Sequence, residues 1–124
     1  MIVLLDTSTT VCKVAVIHEE ERHDFTWEAG RALAKGLLRF IQEKAGDIHE
    51  IQGIGVMKGP GSFTGLRIGL TVANTLADSL HVPIVGAQGH DWQDQALRRI
   101  RAGGDERIVM PEYGAEAHIT QPRK

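Results

Sequence analysis

With 124 residues, 42% of them hydrophobic and 24% charged, the chain has the make-up of one soluble globular domain, large enough to bury about two thirds of the surface its unfolded form would expose. A formal charge of −2, with acids and bases interleaved, excludes a general attraction for a phosphate backbone, so RNA is not expected to bind this chain directly. The start Met1-Ile2-Val3-Leu4-Leu5-Asp6 lacks the basic region of a signal peptide, and no apolar stretch approaches the roughly 20 residues that span a bilayer, which points to the cytoplasm and away from membranes.

Ile2 to Leu5 and Val11 to Ile17 read as strands, joined by the polar hairpin turn Asp6-Thr7-Ser8-Thr9-Thr10. The lone cysteine, Cys12, falls on the alternating run of the second strand, as a buried structural thiol in a reducing compartment would. A third strand is predicted from Arg22 to Trp27. From Ala29 to Lys44, Leu33, Leu37, Phe40 and Ile41 recur at helical spacing, and Gly46 is a natural stop.

Ile51 to Met57 gives a fourth strand, weakened by Gly53 and Gly55, and Lys58-Gly59-Pro60-Gly61 turns sharply out of it. Ser62 is placed to cap a long helix that ends near His81, before the Val82-Pro83 step. Pro83 to Ala87 is a short fifth strand and His90 to Arg101 a basic amphipathic helix.

The order β-β-β-α-β-α-β-α predicts an α/β domain over residues 1–102, with a mixed five-stranded sheet and helices packed on it. Residues 103–124, rich in Gly, Pro and charge, read as an extended tail with a possible short strand from Arg107 to Met110.

Two segments could receive an anion. The turn at Asp6, Thr7, Ser8 and Thr10 offers a carboxylate, hydroxyls and backbone amides to a phosphate or hydrated metal ion, or it satisfies its own backbone as an Asx turn. Gly61 and Ser62 open a helix whose free N–H groups could meet an anion, although no Lys-Ser/Thr pair makes a Walker A loop and Thr64 breaks the dinucleotide fingerprint. The histidines His18, His23, His49, His81, His90 and His118 form neither a His-x-x-x-His pair nor an H-E-x-x-H motif, so no metal site or catalytic centre is expected from this chain. His90-Asp91-Trp92 reads as a solvated polar cluster.

At about 100° per residue, the apolar positions between Phe63 and Leu80 cover an arc of roughly 200°, wider than one sheet needs. Gly65, Gly69, Ala73 and Ala77 make a ridge without bulk along that helix. Ala32 and Gly36 make a notch on the first helix, so the two helices are expected to pair closely and leave an apolar surface for another protein.

Met1 to Ile17, with Leu-Leu-Asp-Thr-Ser-Thr, and the string Gly59-Pro-Gly-Ser-Phe-Thr-Gly-Leu-Arg-Ile-Gly69 within Ile54 to Gly86, together resemble the TsaB (YeaZ) family of threonylcarbamoyladenosine biosynthesis proteins. The resemblance covers about residues 1–95. It implies one actin-like domain of the ASKHA, ribonuclease H-like class, where family members carry two. Pro111-Glu-Tyr-Gly-Ala-Glu-Ala-His-Ile-Thr120 resembles the family's C-terminal tail, as if most of the second domain were absent internally. The segment Thr26 to Arg31 departs from the family pattern ahead of the first helix.

What the resemblance implies is a non-catalytic subunit that dimerises with TsaD and supports threonylcarbamoyl transfer to an adenosine of tRNA. It also implies a homodimer in isolation, TsaE as a further partner, and tRNA reached only through the complex. ATP and metal would belong to TsaD and TsaE, with no cofactor in this chain. The expected partner contacts are Ala32, Leu33, Gly36, Phe63, Leu66, Arg67, Gly69, Leu70, Ala73 and Asn74. The competing reading is a small ATPase-like or peptidase-like enzyme built on the Asp6 turn.

Overall fold

The computed structural model describes residues 1–114. Three strands come first, β1 (Ile2–Asp6), β2 (Val11–His18) and β3 (Glu21–Glu28), followed by α1 (Leu33–Ala45), β4 (Gly53–Met57), α2 (Phe63–Leu80), β5 (Ile84–Ala87) and α3 (Trp92–Arg101). The expected element order holds, and the strands lie side by side as β3-β2-β1-β4-β5. β1 runs antiparallel to β2, with Leu4 opposite Ala15, and parallel to β4, with Leu4 opposite Gly55. β5 runs parallel to β4, as the α2 crossover requires.

β1, β4 and β5 are covered on both faces, and alternation along the strands sorts the side chains. Val3, Leu5, Cys12, Val14 and Val16 join Leu33, Leu37, Ile41, Leu70 and Ala73 beneath α1 and α2. On the opposite face Leu4, Ala15, Ile17, Val85 and Ala87 pack against Trp92, Ala96 and Ile100 of α3. Trp92 is therefore a core residue and not part of a solvated cluster, because α3 must cover that face.

Gly55, a weak strand former, is explained by the same helix: a Cβ there would lie 2.7 Å from Leu4 Cδ2 and 2.8 Å from Ala96 Cβ. Burial of Cys12 pushes its thiol up to about 11, with Asp6 adding a smaller push in the same direction, so it is a protonated structural group.

The helix boundaries follow local chemistry. A single 3-10 turn at Gly30–Ala32 precedes α1, Gly30 and Gly46 have positive φ, and Ser62 Oγ accepts from Gly65 N at 3.2 Å to cap α2. His81 closes α2 in the left-handed conformation at φ 58°. Among the described residues, no helix is long and apolar enough to cross a membrane.

After α3 the chain turns at Gly103 and runs back over the domain. Arg107 to Met110 forms no strand, contrary to expectation: its backbone meets side chains where a strand would meet another backbone. Val109 N donates to Asn74 Oδ1 and Asn74 Nδ2 donates to Val109 O, both at 2.9 Å. Val109 is 1% exposed and joins the core, so the stretch is anchored at that residue and is not a free tail, while Ile108 and Met110 stay exposed. Of the tail resemblance, residues 115–120 lie outside the described residues.

Candidate functional site

The two stretches singled out as anion cradles come together. β1 delivers Asp6 at its carboxyl end, and β4 leads through Lys58 into Gly59-Pro60-Gly61-Ser62, also at the carboxyl end of a parallel strand, where α/β sheets commonly bind ligands. Ser62 N donates to Ser8 O at 2.8 Å and ties the loop to the turn.

Asp6 Oδ1 accepts from Ser8 N at 2.9 Å and from Ser8 Oγ at 2.6 Å, and Thr7 Oγ1 donates to Gly65 O at 2.8 Å. The amides of Ser8, Ser62 and Gly65 therefore all have protein acceptors, and Thr7 and Ser8 are buried. Of the two readings, the geometry matches a turn that satisfies its own backbone. Thr10 stays on the outside, where its carbonyl accepts from Gly30 N at 3.2 Å. Among the described residues, no three His, Cys, Asp or Glu side chains come close enough to hold a metal ion.

The small-residue ridge of α2 serves that turn and not a foreign helix. A Cβ at Gly69 would lie 2.0 Å from Thr7 Oγ1, and one at Gly65 would lie 2.4 Å from Thr7 O. The β1–β2 turn presses into the ridge because only glycine lets the helix come so near. The ridge is consumed inside the domain.

Most of the expected partner contacts are consumed with it. Leu33, Leu66, Leu70 and Ala73 are 5%, 0%, 3% and 1% exposed, and Gly69 is buried, so none of these side chains is available at the surface. Gly36 offers its notch to Trp27, whose Cη2 would lie 2.7 Å from a Cβ there, and the Trp27 ring sits 5.2 Å from that of Phe40. Asn74 is engaged with Val109. Only Ala32, Phe63 and Arg67 remain exposed, with Phe63 resting 4.4 Å from the Tyr113 ring and Arg67 over Phe63 at 5.5 Å.

A different surface lies between the two helices. Leu38, Gln42, Ile48, Thr71, Val72, Thr75, Leu76 and Ser79 line a mostly apolar groove of about 310 Å³, with Leu38 45% exposed. Sequence reasoning missed Leu38, although the doublet Leu37-Leu38 carries a signal. In a helix that buries Leu33, Leu37 and Ile41, the second leucine must turn about 100° away from the core.

The family model described as TsaD, tRNA N6-adenosine threonylcarbamoyltransferase, matches residues 29–92, just over half of the chain. The tRNA threonylcarbamoyladenosine biosynthesis protein TsaB of Haemophilus influenzae is 33% identical over 85 residues, which cover 65% of this chain and 36% of that protein. The TsaB of Escherichia coli K12 is 29% identical over 118 residues, 86% of this chain and 51% of that one.

The solved structure of YeaZ from Pseudomonas aeruginosa superposes with a TM-score of 0.64 at 31% identity, covering 76% of this chain and 49% of that one. The expected single actin-like α/β fold is borne out by that likeness. The chain spans about a third to a half of the length of these relatives.

Proposed function

The chain belongs to the TsaB (YeaZ) family of tRNA threonylcarbamoyladenosine proteins, and from that premise we propose that it is a non-catalytic subunit that pairs with a TsaD-type protein through the α1–α2 groove. The observation that carries this reading is the groove itself. An exposed leucine beside Ile48, Val72 and Leu76 is apolar surface left over once both helices have covered the sheet. The non-catalytic role is supported by the Asp6 turn, where Asp6 Oδ1 is taken up by Ser8 N and Ser8 Oγ and Ser8 O by Ser62 N.

Pairing through this groove buries Leu38 and Val72 against a partner helix, while Gln42, Thr71, Thr75 and Ser79 supply a polar rim. The expected working state is the heterodimer, with a homodimer forming through the same groove when the chain is alone. Cofactors belong to the partners, namely the TsaD-type protein and a TsaE-type ATPase, and tRNA is met only through the assembly.

Sedimentation of the chain mixed with a TsaD-type protein tests this. The wild type is expected to form a one-to-one complex, and Leu38→Asp is expected to weaken it at least about tenfold while leaving the circular dichroism spectrum unchanged. Unaltered pairing by Leu38→Asp would show that the groove is not the interface. A threonylcarbamoylation assay with and without the chain tests the role. Calorimetry with magnesium and ATP tests the enzyme reading, which requires tight binding that Asp6→Ala removes.

A further inference from the structure

Exposed apolar side chains gather beside the first half of α2. Among the described residues, the large hydrophobic side chains that face solvent are Leu38, Phe63, Ile108 and Met110, at 45%, 54%, 64% and 68% exposure. Leu38 stands in the α1–α2 groove. The other three lie on the start of α2 and on the segment that returns after α3.

That segment is fixed in place, first against the edge of the sheet and then against α2. Ile84 N donates to Asp105 Oδ1 at 3.1 Å, Gly86 N donates to Glu106 Oε2 at 3.0 Å, and Glu112 N donates to Lys58 O at 2.7 Å. With Val109 held by Asn74 and the Tyr113 ring set against Phe63, residues 109–113 run beside α2 in the direction opposite to the helix. Val109 fills the core over Gly86, and its neighbours Ile108 and Met110 are left on the outside.

Arg67 connects this patch with the groove. Its guanidinium lies over the Phe63 ring at 5.5 Å, and Phe63 in turn rests on Tyr113. Arg67 is exposed, and among the described residues it has no ion pair. Thr71, one helical turn further on, already lines the groove. α2 therefore has the groove on one flank and residues 109–113 on the other, and its outward face joins the two.

The groove alone is small for a pairing surface. Eight residues line it, against roughly 20–30 residues a side in a stable interface. A surface of about 800 Å² per partner is about 30 Å across. Thr71 lies only about 12 Å along the helix from Phe63, so a protein seated in the groove with that footprint reaches Phe63 and Met110.

We infer that the pairing surface continues from the groove across the outward face of α2 to Phe63, Met110 and Ile108, and that Arg67, laid on Phe63, receives an acidic side chain of the TsaD-type protein. This rests on the groove reading and adds to it the returning segment and an ionic contact. A guanidinium held on an aromatic face is already ordered before a partner arrives, so it loses little side-chain freedom on contact. Its edge keeps N–H groups free for a carboxylate while its face stays on the ring. The apolar side chains around it exclude water, the setting in which an interfacial arginine contributes most.

The test is sedimentation of the full chain with a TsaD-type protein at low and high salt. Arg67→Glu and Met110→Asp change exposed positions and should leave the circular dichroism spectrum unchanged, and each is expected to weaken the complex at least about tenfold. Pairing by the wild type should weaken as salt is raised, and Arg67→Ala should reduce that dependence. A complex that Leu38→Asp weakens, while Arg67→Glu or Met110→Asp leaves it intact, would overturn the inference and leave the groove reading standing. Pairing unaffected by all three substitutions would remove both. Loss of self-association alone, with the TsaD-type complex intact, would assign the surface to a second copy of the chain and overturn the inference as well.

Discussion

The two faces of α2 solve different problems with similar residues. Inward, Leu66, Gly69, Leu70 and Ala73 are buried, with the glycine pressed against Thr7. Outward, Thr71, Val72 and Thr75 join Leu38 and Gln42 of α1 around an open groove. The difference teaches that a run of small and apolar residues on one helix measures how closely its own sheet approaches. The apolar surface left open by the fold is the mixed stripe, where one leucine stands among threonines and a glutamine.

Charging each face separates them most sharply. Leu66→Asp places a carboxylate where the side chain is 0% exposed, and is expected to cost about 4 kcal/mol or more. That is comparable to the whole stability of a small domain. The measurement is the urea midpoint. Leu38→Asp, on the open face, should shift the same midpoint by less than about 1 kcal/mol and act on pairing instead. Equal destabilisation by the two substitutions would erase the contrast between the faces.

How much of this was legible follows from the range of the interactions. The five strands, the three helices, the Ser62 cap and the stop at Gly46 are local, written in periodicity and turn chemistry within a few residues. The 200° apolar arc on α2 is legible as well, but not which part of it the β1–β2 turn of the same domain covers. Sequence gives no distance between Thr7 and Gly69, so a ridge made for a turn looks like one made for a helix. The role of Asn74 inside the domain is hidden for the same reason: Val109, whose backbone it holds, lies 35 residues away along the chain. The course of residues 105–112 along β5 is not legible because two of its bonds to that strand come from the side chains of Asp105 and Glu106, and a strand pattern does not record those.

The inward side also contains a titratable group that reports on its tightness. Cys12 holds its proton to about 11 when folded, against an ordinary value of 9.0, because burial disfavours the thiolate and Asp6 adds to that. Between those values the unfolded chain has released a proton that the folded chain retains. Stability is therefore full below pH 9 and falls as pH rises toward 11, by about 3 kcal/mol. Cys12→Ala should remove this part of the alkaline decline, and the difference between the two pH profiles isolates it from lysine and tyrosine titration. Coincident profiles would mean that solvent reaches the thiol and that the α1–α2 side is looser than its packing indicates.

The smallest effect probes the point where the faces meet, at the first turn of α2. Ser62 Oγ receives Gly65 N while Ser62 N reaches Ser8 O, so this residue joins the helix start to the Asp6 turn. Ser62→Ala removes only the hydroxyl, leaves the backbone bond in place, and is expected to cost about 1 kcal/mol, as the loss of a helix cap does. Pairing with a TsaD-type protein should be unchanged, because the groove lies further along the helix. The anion reading makes a different demand: inorganic phosphate would have to raise the melting temperature of the wild type and do so less for Ser62→Ala. With Ser8 N, Ser62 N and Gly65 N already donating within the protein, phosphate should have no effect on either chain. A phosphate-dependent rise would return the Asp6 turn to the list of binding sites.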